Sequence, residues 1–273
     1  MSNPIAPSPG PLTASALVAR VVTDHEAELV GLRRDLHAHP ELSWTEHRTT
    51  DVVAGHLEAI GWRLQRLSPA GLVADLGTGE RTVGLRADLD ALPVQEVSQD
   101  PWRSTVPGVA HACGHDVHTS ALVGAAHALA RLHAVGELGG RVRLFFQPAE
   151  EVMPGGAVHL MGMGVLDGVE RVFALHCDPG VDVGQVGLRL GPLTSAADRI
   201  EIRLEGTGGH TSRPHLTADL VQALGLLATQ VPLLLTRHVD PRSGTVLTWG
   251  AVHAGDAANA IPQSGLLRGT LRT

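Results

Sequence analysis

The segment His111-Ala-Cys-Gly-His-Asp-Val-His118 places one thiol, three imidazoles and one carboxylate in a single short stretch. Thiolate and imidazole are the donors that zinc and its borderline neighbours favour, so the segment reads as half of a metal site. A Cys-x-His pair alone is weak evidence, since a cysteine is most often a small buried hydrophobe and a nearby histidine a hydrogen-bonded bystander. Further donors stand downstream: Glu150 and Glu151 in Gln147-Pro-Ala-Glu-Glu151, and His176 in His176-Cys-Asp178. Cys113, His115, Glu150, Glu151 and His176 together are the kinds of ligand that hold two divalent ions. Water on such a pair is acidified to hydroxide, and a carboxylate that is not a ligand can take its proton. Adjacent glutamates at a strand end diverge, so one can bind metal while the other faces the water. Buried side by side without a cation, they would resist joint ionisation.

Elements must gather these side chains, and three segments share one design. Thr82 to Ala87 runs into Asp88-Leu-Asp90, Val142 to Phe146 into Gln147 to Glu151, and Val172 to Leu175 into His176-Cys-Asp178. Each is a short apolar strand ending in polar ligands. A helix from Thr119 to about Leu132 separates the first two, giving the strand, helix, strand order of α/β sheets with crossover helices. Such sheets bind ligands at the carboxyl ends of their strands, so the three ends should share one cleft. Upstream, Leu29, Leu32 and Leu36 recur at helical spacing until His37-Ala-His-Pro40 stops the helix. Ser43-Trp-Thr-Glu46 fits a capping box for a second helix with Val52, Val53, Leu57 and Ile60 buried and Gly61 as its stop. Past Gly191, strands over Asp198–Leu204, Gly244–Val252 and Gly265–Leu271 and a helix from Thr217 to about Thr236 suggest a second unit. His210 lies in the loop after its first strand and Asn259 before its last.

The expected fold class is therefore α/β, a mixed, largely parallel sheet with flanking helices, followed by a smaller α+β domain. The expected boundaries are a proline-rich disordered tail over 1–20, a metal-binding domain over 21–195 and a second domain over 196–273. Charge supports a division: 22 acids and 14 arginines precede Asp198, against 6 and 7 from there on. The chain has 273 residues, 43% of them apolar, enough to fill a core. Its basic residues are all arginine, and a net charge of −7 gives no reason to expect nucleic acid or an anionic membrane as partner. Two cysteines, Cys113 and Cys177, are too few for a disulfide framework and point to the reducing cytoplasm. No segment approaches the apolar length needed to span a bilayer on this reading, and the N-terminus lacks a signal-peptide pattern.

Seven motifs in order give the chain a family resemblance. They are Leu-His-Ala-His-Pro-Glu-Leu (36–42), Arg-Ala-Asp-Leu-Asp-Ala-Leu-Pro (86–93), His-Ala-Cys-Gly-His-Asp-Val-His (111–118), Gln-Pro-Ala-Glu-Glu (147–151), Leu-His-Cys-Asp-Pro (175–179), Gly-Gly-His-Thr-Ser-Arg-Pro-His (208–215) and Asn-Ala-Ile-Pro (259–262). From about Leu32 to Thr273 the chain resembles the M20 family of metallo-amidohydrolases, in the branch of hippurate, N-acyl-amino-acid and auxin-conjugate hydrolases. The resemblance implies a dinuclear-metal exopeptidase-like catalytic domain with a lid, and hydrolysis of small N-acyl or N-aroyl amino acids by a metal-bridging hydroxide. It implies Cys113, His115, Glu151 and His176 as ligands of two divalent ions, zinc or manganese first and cobalt or nickel next. Glu150 would be the general base that passes the proton to the leaving amine, and Asp90 would orient the metal site. His210 would reach the active site of a partner subunit in a lid-mediated homodimer and steady the oxyanion, and Asn259 would hold the substrate carboxylate.

The family also closes its site with a later histidine ligand and completes its lid beyond the point where this sequence stops, so an incomplete lid and site are expected here. Two competing readings follow: a cysteine hydrolase with Cys113 as nucleophile and His115 as base, and a truncated member that binds metal or dimerises without turnover. Among the remaining residues, His37, His39, His127 and His133 read as structural, His111, His118 and Cys177 as support or packing, and His215, His238 and His253 as without a specific role. Asp116 reads either as a cap for the helix at Thr119 or as part of the site.

Overall fold

The computed structural model describes residues 13–191 and 193–273; the proline-rich residues 1–12 of the expected tail lie outside them. The chain divides into two compact units, Met1–Gly180 and Val181–Thr273, upstream of the charge shift near Asp198.

In the first unit, helix α1 (Ala14–Ala38) starts where the Thr13 hydroxyl accepts from the Ala16 N–H at 3.3 Å, and ends just before Pro40. Residues 14–20 are thus helical, which corrects the tail expected there. Helix α2 (His47–Ala59) buries Val53, Ala54 and Leu57, while Val52 and Ile60 are only partly buried. Its Glu46 N-cap makes no side-chain cap bond, so the expected capping box is absent. Gly61 ends the helix at φ +84°, a left-handed conformation glycine adopts at little cost.

Five strands follow: β1 (Arg63–Arg66), β2 (Leu72–Gly77), β3 (Thr82–Asp88), β4 (Arg141–Gln147) and β5 (Val169–Ala174). Helix α3 (His115–Ala134) crosses between β3 and β4, and the short α4 (Gly156–Gly162) lies between β4 and β5. The sheet order is β1-β2-β4-β3-β5, with β3 parallel to β4 and β5, and β2 antiparallel to both β1 and β4. The parallel strands gave the legible signal, whereas β1 and β2 were not anticipated. Leu36, Val53 and Leu57 from the helices meet Leu72, Leu144, Phe146 and Leu89 and the α3 residues Leu122, Val123 and Ala126 in one core. Each fully buried large apolar side chain contributes about 1.5–3 kcal/mol. Because β3, β4 and β5 run the same way, their carboxyl ends, from which residues 88–90, 147–151 and 176 project, lie along one edge.

In the second unit, β6 (Ala197–Glu205) leads to the two-residue β7 (Gly209–His210) and helix α5 (Leu220–His238). Strands β8 (Val246–His253), β9 (Ala260–Ile261) and β10 (Ser264–Arg272) complete it. The sheet runs β6-β10-β8, all antiparallel, and β7 pairs with β9. Asp219 caps α5 by accepting from the Gln222 N–H at 3.0 Å, and the Trp249 indole donates to the Ala228 carbonyl. Helix α5 is long and apolar enough, by length and composition, to cross a membrane, which corrects the expectation that no segment is. It packs on this sheet through buried Leu220 and Leu224, and Gly265 of β10 leaves room for Leu224.

Candidate metal centre

The donors are placed by backbone geometry at the strand ends. After β4 the chain turns through Ala149, held at φ +51° although it is not glycine, and a residue in this region needs support from its surroundings. The support is specific. The fully buried Glu46 carboxylate accepts from the Ala149 N–H at 2.6 Å, and the Ala149 carbonyl accepts from the Gly156 N–H at 2.9 Å. One residue on, the Asp90 carboxylate accepts from the Glu150 and Glu151 N–H groups, each at 3.0 Å, and from the Ser43 hydroxyl at 2.7 Å. Asp90 thus fixes the backbone of both glutamates. In the third loop, Gly114 at φ +84° starts α3 at His115, with Cys177 packed where a side chain would otherwise stand.

Two histidines share one arrangement. His115 donates its Nδ1–H to the Asp90 carbonyl at 2.8 Å, since a carbonyl only accepts, and this leaves its Nε2 for the cleft. His176 donates its Nδ1–H to the Cys177 carbonyl at 2.7 Å, and its Nε2 lies 3.4 Å from Cys113 Sγ. The Nε2 of His115 lies 3.7 Å from Glu151 Oε1 and 3.9 Å from Glu150 Oε2. Cys113, His115 and His176 offer three donor atoms within 4.8 Å of one another, and His115, Glu150 and Glu151 do likewise, so His115 belongs to both sets. His115 Nε2 and Glu151 Oε1 are buried without a hydrogen-bond partner. By contrast, His118 uses both ring nitrogens, donating to Asp88 at 2.7 Å and accepting from the Cys177 N–H at 2.9 Å. It holds the Cys177 backbone beside His176.

Electrostatics fit a bound cation. Burial and the nearby Glu151, Glu150 and Asp88 push the Cys113 thiol up to about 12, the reverse of an activated nucleophile. Its imidazole neighbour is His176, not the His115 expected of a cysteine hydrolase. A thiolate here calls for positive charge close by. Burial would lower the His115 pKa, but Asp90, Asp88 and Glu151 outweigh it and raise it, so the pocket favours a positive charge at this point. Burial likewise works against ionised Asp90, yet hydrogen bonds from His115, Glu151, Ser43 and Glu150 hold its pKa at about 2. Glu150 is raised by burial and by the charges of Glu151 and Asp88. Its side chain is 41% exposed against 21% for Glu151, so Glu150 is the more open of the two. The donor chemistry and the orphaned buried atoms match a transition-metal pair.

The other sequence-picked residues sort differently. In the second unit, His210 on β7 pairs with Ala260 of β9, and the Asn259 carbonyl accepts from the Thr211 N–H at 3.2 Å, so His210 and Asn259 are neighbours. His210 Nδ1 accepts from the Ser212 N–H at 3.1 Å, which leaves its Nε2–H as the outward donor. Asp116 lies in the first turn of α3, which begins at His115 rather than Thr119, so it does not serve as the expected cap. Its carboxylate meets Arg33 at 2.9 Å and His37 at 2.8 Å, tying α1 to α3. His111 is buried, with neither ring nitrogen partnered, and burial brings its pKa down to about 4. From sequence, Ser43 and Glu46 had a local capping role and Ser212 no role of its own beyond its motif. For the first two, the local pattern suggested a cap, while their partners stand at residues 90 and 149.

Residues 84–249 match the family model described as Peptidase family M20/M25/M40. A Rhodococcus jostii protein carrying a glutamate–cysteine ligase name is 54% identical over 91% of this chain and 31% of its own length. An N-acyl-L-amino acid amidohydrolase of Geobacillus stearothermophilus is 38% identical over 94% of this chain and 70% of its own. The crystal structure of a Bacillus subtilis protein described as a dinuclear metal-binding peptidase of the M20 family superposes with a TM-score of 0.71 at 35% identity, covering 92% of this chain and 65% of that one. The chain therefore spans about a third of the first relative and about two thirds of the other two.

Proposed function

This chain belongs to peptidase family M20/M25/M40, and on that premise we propose that its first unit carries the dinuclear metal centre of an amidohydrolase acting on small N-acyl or N-aroyl amino acids. The observation that carries this reading is the paired presentation of His115 and His176. Each has its Nδ1–H on a backbone carbonyl and its Nε2 turned toward Cys113 or Glu151.

Cys113, His115, Glu151 and His176 would hold two divalent ions, zinc or manganese first and cobalt or nickel next. When bound, such ions would supply Lewis-acid chemistry, polarising a carbonyl and lowering the pKa of a bound water. Glu150, raised in pKa and the more open acid, takes the proton of the attacking water and delivers it to the leaving amine. Asp90 is a positioning residue: it holds the backbone under both glutamates and orients His115. His210 of the second unit would present its Nε2–H to the oxyanion in the active site of a partner subunit, and Asn259 would help hold the substrate carboxylate. We further propose a homodimer formed through the second unit. Two free thiols, Cys113 and Cys177, fit a cytoplasmic location.

The test is removal and return of metal against a panel of N-acyl amino acids. Chelation should abolish amide hydrolysis and reloading should restore it, with two ions at the strand-end centre of each chain in the active form. Purified protein without transition metal whose hydrolysis ignores a chelator would sink the reading.

A further inference from the structure

A second cluster of metal-type donors lies away from the strand ends, among the helices. His25 and Glu28 stand one turn apart on α1, His56 is near the end of α2, and His127 is on α3. Glu28 sits at the centre: its Oε2 meets His25 Nδ1 at 2.9 Å, its Oε1 meets His56 Nδ1 at 3.1 Å, and His127 Nε2 lies 3.9 Å from the same Oε1. The His25 and His127 rings are 4.1 Å apart between centroids. His25, Glu28 and His127 each offer a donor atom within 4.8 Å of the other two.

We propose that His25, Glu28 and His127, with His56 as fourth donor, form a peripheral site for one borderline divalent ion such as Zn2+, which staples α1 and α2 to α3.

A hydrogen-bond network around Glu28 would account for His25 and His56, but not for His127. The His127 side chain is only 6% exposed, and its Nε2 faces the cluster without a hydrogen-bond partner. Burying such a nitrogen unmatched costs free energy that a metal bond would offset. The backbone is shaped for the approach: Gly124, one turn before His127, leaves α1 so close that an added Cβ would stand 2.9 Å from a Leu29 methyl. Zinc–nitrogen bonds of about 2.0–2.1 Å set tetrahedral donors roughly 3.3 Å apart, so the present spacing closes by side-chain rotation. His127 follows His115 by about 18 Å along α3, too far for the two sites to share an ion.

The test separates this site from the strand-end centre. Zinc bound at equilibrium dialysis is counted by elemental analysis in the parent chain and in a Cys113→Ala, Glu151→Gln, His176→Asn chain, each with and without His25→Asn plus Glu28→Gln. Both substituted α1 residues are partly solvent-exposed, and circular dichroism checks the fold. We expect the triple variant to retain one zinc ion, and the α1 pair to remove it and weaken zinc affinity about tenfold or more. In the parent the α1 pair should remove one ion, cancel part of the zinc-induced rise in Tm, and leave amide hydrolysis unchanged. Should the triple variant misfold, the parent arm decides. Stoichiometric zinc that is unaltered by the α1 pair, or a triple variant that folds but binds none, would overturn the proposal. Absence of hydrolysis in the parent would bear on the strand-end reading alone.

Discussion

Glu150 and Glu151 are neighbours in sequence for which we propose different tasks, and the proposed division follows from their surroundings. Glu151 Oε1 is buried, orphaned and close to His115, whereas Glu150 is more open and holds its proton more tightly than an ordinary glutamate. Glu150→Gln should therefore keep its bound metal and lower kcat by about 10²–10⁴-fold, the range expected for loss of a general base. Glu151→Gln should lose metal as well as activity. Metal analysis beside steady-state kinetics distinguishes them; equal metal loss in both would reverse the assignment. Asp90 makes a stricter case, because each of its oxygens accepts from a backbone N–H. In Asp90→Asn one of those N–H groups faces an NH2 group, donor against donor. We expect a stability loss of about 1–3 kcal/mol and a roughly 10–100-fold weaker grip on metal, read by urea unfolding and metal titration. An Asp90→Asn variant that binds metal as the parent does would show that the contact is incidental.

At the scale of elements, the turn from β4 into α4 carries the acid pair, and Gly156 is its tightest point. A Cβ at Gly156 would stand 1.8 Å from the Pro148 carbonyl oxygen, a backbone atom that cannot move without moving Ala149 and the glutamates. Gly156→Ala should cost about 1–3 kcal/mol and lower metal content and activity together. Gly162→Ala at the other end of α4 meets nothing within 4 Å and should be neutral or stabilising. The joint between α1 and α3 gives a pH signature. The hydrogen bond to Asp116 raises the His37 pKa, with burial opposing and Glu96 assisting. A folded pKa above the unfolded value near 6.5 means that charged His37 stabilises fully below that value and loses its effect as pH rises through the folded pKa. His37→Gln should thus cost most stability below about pH 6.5 and progressively less above it; a penalty that grows with pH in urea titrations would contradict the pairing.

The same elements explain what the sequence could disclose. Strands β3, β4 and β5 were readable because apolar runs end abruptly in acids and imidazoles, and a parallel sheet brings such ends together. Cys113, His115, Glu150, Glu151 and His176 therefore converge as their positions suggest. Strand β2 was hidden because its identity rests on antiparallel pairing with β4, residue 72 against residue 146, a contact that no local pattern encodes. Ser43 and Glu46 were misread for the same reason: a capping-box spacing is local, but their hydrogen bonds go to Asp90 and Ala149.

For the whole molecule, α5 poses the open packing problem. In the unit Val181–Thr273 it buries Leu220 and Leu224 against the sheet, yet Val221, Leu226, Leu233 and Leu234 are each more than half exposed. Apolar side chains gathered on one exposed helix mark a surface that favours a partner or a lipid phase. Pro232 lies within the helix, and Arg237 and His238 stand in its last turn. The homodimer proposed for this unit would cover the face with its own copy, since a two-fold axis lets one apolar patch serve both sides. Sedimentation equilibrium should then give twice the chain mass. Leu226→Arg with Leu233→Arg should weaken association at least tenfold, about 1.4 kcal/mol, while metal content at the strand-end centre stays unchanged. A monomer at all concentrations would remove the dimer, and transfer of the chain onto neutral lipid vesicles, abolished by the same two substitutions, would assign the exposed face to a membrane instead.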